Sequence, residues 1–266
     1  MIGSEKEMRT EQVNILGNKI DCFPDYRTFF EAVMVAMKKG EARGYVTVNN
    51  VHTMVEGFRN AAYQTIINEG YLAIPDGKPL EVVGKLKGSK TISRLFGPTV
   101  MEKFIDWGRS EKVSHFFLGS SEENLAKLRS SIEQKYPGAK IAGMLSPPYL
   151  PLEQWDNKAL TDAINAADPD FIWVGVGAPK QEQWMYRNHP QLQRGLMFGI
   201  GAGFDYMAGN TKHAPKWMKD FALEWLYRLI QEPRRLWKRY FTTIPQFIFF
   251  ASLELMGVKF RSKRSS

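Results

Sequence analysis

The chain has 266 residues, 44% hydrophobic and 24% charged, with no low-complexity tract. That composition supports one sizeable core and excludes a disordered polymer. Its single cysteine, Cys22, excludes an intrachain disulfide and suits a reducing compartment. The formal net charge is +8, and the whole excess lies in the last 55 residues, which carry 12 Lys+Arg against 4 Asp+Glu. Such asymmetry predicts an anionic partner for the tail.

The opening stretch has neither an apolar signal core nor a small-residue cleavage site, so no secretion is expected. Residues 13–20, with Gly17-Asn18 inside, predict a small hairpin. A helix over 26–39, a strand over 45–48, a helix over 51–69 and a strand over 71–74 follow. Next come a strand over 115–118, a helix over 122–136, a strand over 140–144 and a helix over 152–166. Strands over 171–176 and 196–200 complete the alternation. The pattern predicts a Rossmann-like α/β fold: a mainly parallel sheet with helices on both faces. No internal repeat is present.

From residue 212 the character changes. Over 215–231, Met218, Phe221, Ala222, Trp225, Leu226 and Leu229 recur at helical spacing, then Arg234, Arg235, Lys238 and Arg239 cluster beside Trp237 and Tyr240. The aromatic stretch over 241–258 is interrupted by Pro245, Gln246 and Glu254, so a membrane span is not expected. Basic residues beside aromatic ones suit a helix lying in the lipid headgroup region; a helix packed on the body with a solvated basic face fits the same residues. We therefore divide the chain into an α/β catalytic part, residues 1–211, and a basic helical appendage, residues 212–266.

In parallel sheets ligands sit beyond the carboxyl ends of the strands. The loops expected there contain Thr47-Val48-Asn49-Asn50, Pro75-Asp76-Gly77, Gly119-Ser120-Ser121, Ser146-Pro147-Pro148-Tyr149, Gly177-Ala178-Pro179-Lys180-Gln181 and Gly201-Ala202-Gly203-Phe204-Asp205. Each also reads as an ordinary turn. Two glycine-rich loops on one sheet favour a nucleotide or phosphate site, because glycine lets backbone N–H groups approach an anion. No Walker loop, nucleophile elbow, zinc pattern or complete Gly-x-Gly-x-x-Gly occurs. Asp168-Pro169-Asp170 imitates a metal-holding Asp-x-Asp, but it precedes a strand and so belongs to the amino edge, where it reads as a turn. Asp76 is placed for base chemistry, although by local sequence alone a turn aspartate is the stronger reading. Asp205 can accept hydrogen bonds from ribose, or act as a first-turn acid.

Together these segments resemble the WecG/TagA/CpsF family of bacterial glycosyltransferases. The resemblance rests on Val46-Thr47-Val48-Asn49, Pro75-Asp76-Gly77, Arg94-Leu95-Phe96-Gly97, Ser146-Pro147-Pro148-Tyr149 and Gly175-Val176-Gly177-Ala178-Pro179-Lys180-Gln181-Glu182. It extends through Gly199-Ile200-Gly201-Ala202-Gly203-Phe204-Asp205, Ala214-Pro215-Lys216-Trp217, Leu223-Glu224-Trp225-Leu226-Tyr227-Arg228-Leu229 and Glu232-Pro233-Arg234-Arg235. Two segments depart from the family pattern: Pro75 replaces the usual Ala, and Leu-Phe-Gly-Pro-Thr follows Arg94 in place of the commoner Val-Ala-Gly-x-Asp.

The resemblance implies a metal-independent, inverting transferase with no cofactor. Its donor is a UDP-sugar and its acceptor a sugar on a polyprenyl diphosphate, in cell-surface polysaccharide synthesis. By motif position it implies Asp76 as base, with Arg94 and Gln181 as polar residues of the catalytic pocket. Thr47 and Asn49 fall on the acceptor side. Tyr149, Gly177, Gly201 and Asp205 fall on the nucleotide side. Arg228, Arg234, Arg235 and Arg239 become candidates for diphosphate and membrane contact. The implied location is the cytoplasmic face of the plasma membrane, bound peripherally. No nucleic-acid partner is implied, and self-association stays open. From the α/β pattern alone, a nucleotide-dependent oxidoreductase competes; from the basic tail alone, a nucleic-acid or lipid-binding module does.

Overall fold

The computed structural model describes residues 10–260; most of the opening stretch read for a secretion signal, and the last six residues of the basic tail, lie outside them. β1 (Glu11–Ile15) and β2 (Asn18–Cys22) pair antiparallel. Their turn is Leu16-Gly17, both at positive φ (54° and 81°), one residue earlier than the Gly17-Asn18 turn expected. Asn18 instead enters the core, where its amide donates to the carbonyls of Ile15, Leu16 and Met54, each at 3.2 Å. Gly17 is required on two counts. Its φ favours glycine, and an added Cβ would lie 2.5 Å from the Gln64 amide. Asp21 of β2 accepts from the Ala73 N–H at 2.7 Å, which docks the hairpin on the main sheet.

α1 (Tyr26–Lys38) follows, capped by Asp25. Then come β3 (Gly44–Asn49), α2 (Val51–Arg59), α3 (Ala61–Glu69), β4 (Leu72–Pro75), α4 (Lys78–Leu86) and α5 (Gly97–Gly108). β5 (Ser114–Gly119), α6 (Glu122–Lys135), β6 (Lys140–Leu145), α7 (Asn157–Ala167), β7 (Phe171–Gly175), α8 (Lys180–Asn188), β8 (Leu196–Gly199) and α9 (Gly203–Met207) complete the body. The main sheet has six strands in the order β4-β3-β8-β7-β5-β6, all parallel. Side chains alternate across it. Ile172, Val174 and Met197 pack into one core with Trp184 and Met54. Phe171, Trp173 and Phe198 pack into the other with Phe104 and Phe29. Burial on both faces explains why the strands read as apolar runs and not as alternating ones.

Three expectations shift. The helix expected over 51–69 breaks at Asn60, which ends α2 and caps α3 by accepting from the Tyr63 N–H at 3.2 Å. The start of the helix expected over 152–166 is a separate single turn, Leu152–Gln154, before α7. The loop expected over 177–181 becomes helical at Lys180, just after a cis Ala178-Pro179 bond.

The tail forms α10 (Lys216–Asp220), α11 (Glu224–Gln231) and α12 (Pro233–Leu255). α12 continues through Pro245. It lies along α2, burying Leu236, Thr243, Phe247 and Ala251 on one face. Trp237, Phe241, Ile248 and Phe249 remain exposed. Its far end is pinned. The Glu254 carboxylate accepts from the Leu16 N–H at 3.1 Å and from Lys87 Nζ at 3.0 Å. Among the described residues, no helix is long and apolar enough to cross a membrane.

Candidate functional site

Because the six strands are parallel, their carboxyl ends form one edge, and two cavities open there. Asp76 marks the first, directly after β4. Its N–H donates to the Asn49 carbonyl on neighbouring β3 at 2.7 Å, which continues the ladder by one bond. One carboxylate oxygen accepts from the Gly97 N–H, the first residue of α5, at 2.7 Å. Gly97 fits a crowded corner, since an added Cβ would come 3.1 Å from Val48. Arg94 Nε donates to the Asp76 carbonyl at 2.7 Å, and the guanidinium stacks 4.6 Å from the centre of the Phe96 ring. Its other arm pairs with Glu224 of α11. A tail acid therefore closes onto a body arginine. This pairing also gives one departure from the family pattern a structural use, since Phe96 forms the platform beneath Arg94.

Burial pushes the Asp76 carboxyl above its ordinary value. The Arg94 charge and the Gly97 N–H oppose that push, Glu224 adds to it, and Arg228 opposes it. A base with a raised pKa accepts a proton more readily than an ordinary carboxylate. Arg228 lies over the Tyr206 ring at 5.7 Å and, with Arg239, His52 and Tyr240, lines the same cavity of about 560 Å³. Burial, then the Arg239 charge, pushes the His52 imidazole down to about 4, so it is neutral at physiological pH.

The second cavity, about 1040 Å³, lies over β5 to β8. Ser120, Tyr149, Gly177, Gly201, Asp205 and Arg235 all line it. Gly177 and Gly201 hold φ of +86° and +53°, turning their loops so that backbone borders the cavity. Asp205, in the first turn of α9, accepts from Asn124 Nδ2 at 3.0 Å, which fixes its carboxylate. Lys180 is held by the Leu150 carbonyl at 2.6 Å and by the Trp155 ring at 4.4 Å.

Several residues expected to touch ligand lie beneath the site. Gln181 is buried and lines neither cavity. Its carbonyl oxygen accepts from the Gly177 N–H at 3.1 Å and the Gly201 N–H at 2.9 Å, bracing both glycine loops, while its amide donates to Glu182 at 2.7 Å. Thr47 and Asn49 are fully buried in β3, where Asn49 Nδ2 donates to Thr47 Oγ1 at 2.8 Å. Neither borders the Asp76 cavity, although the Asn49 carbonyl holds the Asp76 N–H. Among the arginines, Arg228 and Arg239 reach the Asp76 cavity, Arg235 reaches the other, and Arg234 lines neither. Asp168 and Asp170 are engaged at the amino edge by Arg194, and Asp170 also accepts from the Ser114 N–H at 2.8 Å, so the turn reading holds. Among the described residues, no three His, Cys, Asp or Glu side chains gather as a metal cage. Sequence reasoning gave no role to His52, Lys180, Glu182, Glu224 or Tyr240. Lys180, Glu182 and Glu224 lie inside the segments that carry the resemblance, but nothing local set them apart from their neighbours.

A parallel sheet with glycine loops over one half of its carboxyl edge and a carboxylate among arginines over the other defines an α/β ligand-handling enzyme. The chain belongs to the glycosyl transferase WecG/TagA/CpsF family, whose profile matches residues 13–261, and it is a glycosyltransferase. It is 28% identical to the N-acetylglucosaminyldiphosphoundecaprenol N-acetyl-beta-D-mannosaminyltransferase of Bacillus spizizenii, over 91% of this chain and 90% of that protein. The protein of the same name from Bacillus subtilis is also 28% identical, over 90% of each chain. That from Staphylococcus aureus is 24% identical, over 92% of this chain and 94% of the relative. Family membership sets aside both the oxidoreductase and the non-enzymatic readings.

Proposed function

We propose that this chain transfers a sugar from a UDP-sugar, with inversion and without a metal ion, to a saccharide on a polyprenyl diphosphate. Transfer would take place at the inner face of the membrane. The relatives' names support the acceptor class and make N-acetylmannosamine the first donor sugar to try. The observation that carries the reading is the Asp76 carboxylate, raised by burial and set among Arg94, Arg228 and Arg239 in one cavity.

In this reading the acceptor hydroxyl gives its proton to Asp76 as its oxygen bonds to the anomeric carbon. The bond from that carbon to the diphosphate breaks, and UDP leaves with the electron pair. A positioned base contributes ~10²–10⁴-fold. Arg235 and the glycine-loop backbone, which line the second cavity, would meet the nucleotide diphosphate. Arg228 and Arg239, which line the Asp76 cavity, would meet the acceptor diphosphate. Residues 212–266 act as an appendage that supplies these cations and rests on the anionic membrane surface.

The test is a screen of UDP-sugars against polyprenyl-diphosphate N-acetylglucosamine, with products read by mass spectrometry. One UDP-sugar should give product, with or without chelator. No transfer from any UDP-sugar would overturn the reading; activity lost to chelator and restored by Mg²⁺ would overturn metal independence.

A further inference from the structure

The cavity holding Asp76 continues outward between α4 and α12 as a groove. Its mouth is apolar. Val82 and Leu86 of α4 stand on one side, Ile248 and Leu255 of α12 on the other, and Phe221 at the end. All five are exposed, and Leu86 is 67% exposed. Large apolar side chains from three elements converging on one opening leave much apolar surface in water, and such patches mark binding surfaces. The deep end is opposite in character, with Asp76, Arg228 and Arg239. The groove therefore grades from charged to apolar along its length. Its 560 Å³ falls in the ~300–1,000 Å³ range of small-molecule sites.

We propose that this groove takes the first isoprene units of the acceptor lipid, with the diphosphate at Arg228 and Arg239, so that the enzyme reads part of the lipid as well as the sugar. The inference rests on the proposed acceptor class. Two features select a prenyl diphosphate over another apolar occupant. The apolar mouth is continuous with the Asp76 cavity, and two arginines lie where the lipid would end in a dianionic group. α4 belongs to the catalytic body, so the groove is not merely the lipid-facing side of the tail.

The test compares two soluble acceptors below their micelle-forming concentrations, without membrane or detergent. Both carry N-acetylglucosamine diphosphate, one on a farnesyl chain and one on a methyl group. Wild-type kcat/KM should be about tenfold or more higher for the farnesyl acceptor, since each buried methylene contributes a factor of several. Val82→Glu and Leu86→Glu change exposed positions on α4 and should bring that ratio close to one, while Leu86→Met should keep it. Binding is read separately, without donor, by displacement of a fluorescent prenyl diphosphate. A wild-type ratio near one, or an unchanged ratio in both Glu variants, would overturn the groove and leave its mouth as surface resting in the bilayer. Chain-length-dependent displacement that the Glu variants abolish, with no sugar transfer, would uphold the groove and sink the proposed activity.

Discussion

Asp76→Asn isolates the proton-accepting role from the structural one. Asparagine keeps an oxygen for the Gly97 N–H, now met at 2.7 Å, and leaves the backbone bonds to Asn49 and Arg94 untouched. It removes only the charge. Loss of a positioned base should lower kcat/KM by ~10²–10⁴-fold, equal to about 3–5 kcal/mol of transition-state stabilisation. Stability should move the other way. Burial raises the Asp76 pKa, so the folded state holds its proton more tightly than the unfolded chain. The contribution to stability is present below the ordinary carboxylate pKa of ~4 and is lost as pH rises through the raised value. At neutral pH the charged side chain is thus a net cost, and Asp76→Asn should melt no lower than wild type. Wild-type kcat/KM should fall as pH is lowered through the same raised pKa. Mass-spectrometric transfer assays and thermal melts across pH read all three. Turnover within tenfold of wild type, with an unchanged melting temperature, would remove Asp76 from the base role.

Gln181→Leu takes the shared acceptor from the Gly177 and Gly201 N–H groups and a donor from Glu182. Each unpaired buried group costs ~1–3 kcal/mol, so the melting temperature should fall by roughly 5–10 °C and the KM for the nucleotide donor should rise. An unchanged donor KM would show that the brace does not shape the nucleotide side. Burial pushes Glu182 from 4.5 up to about 7, against the Gln181 hydrogen bond. Its contribution is present below about 4.5 and lost as pH rises through about 7, so Glu182→Gln should stabilise the protein more at pH 8.5 than at pH 5. The gain should be on the order of 3 kcal/mol at most, read from chemical denaturation at the two pH values. An equal effect at both would show that the carboxylate does not titrate in that window.

How much of this was legible in the sequence depended on the kind of signal. The central strands of the main sheet announced themselves because both their faces are buried, so runs such as Phe171-Ile172-Trp173-Val174 are apolar throughout, whereas edge strand β6 is only partly buried. α8 did not, because its Lys-Gln-Glu-Gln start looks like loop while only Trp184 and Met185 are fully apolar and buried. α4 begins at Lys78-Pro79 directly after Asp76-Gly77, which reads as turn chemistry. The cluster at the carboxyl edge was found through loop position and motif order. Which member faces the cavity was not, because Gln181 and Asp205 are both polar loop-edge residues. Only packing distinguishes a brace from a lining group. Arg94 had no local reason to be singled out; the return of its loop to Pro75 and Asp76, and the arrival of Glu224, place it beside Asp76.

The pinned ends of the tail also bear on how the protein comes into being. Glu254 reaches back 238 positions in sequence to the Leu16 N–H, and Glu224 reaches back 130 to Arg94. Contacts so distant along the chain cannot form until both ends exist, and closing them is slow relative to local structure. A chain leaving the ribosome can lay down its sheet early, but the wall of α11 and α12 around Asp76 is built from residues that emerge only after all six strands. In the proposed mechanism, catalytic competence therefore waits for α11 and α12. An interrupted chain would carry the carboxylate without the arginines and the groove that surround it, and translation arrested before residue 224 should yield a body that folds yet transfers no sugar.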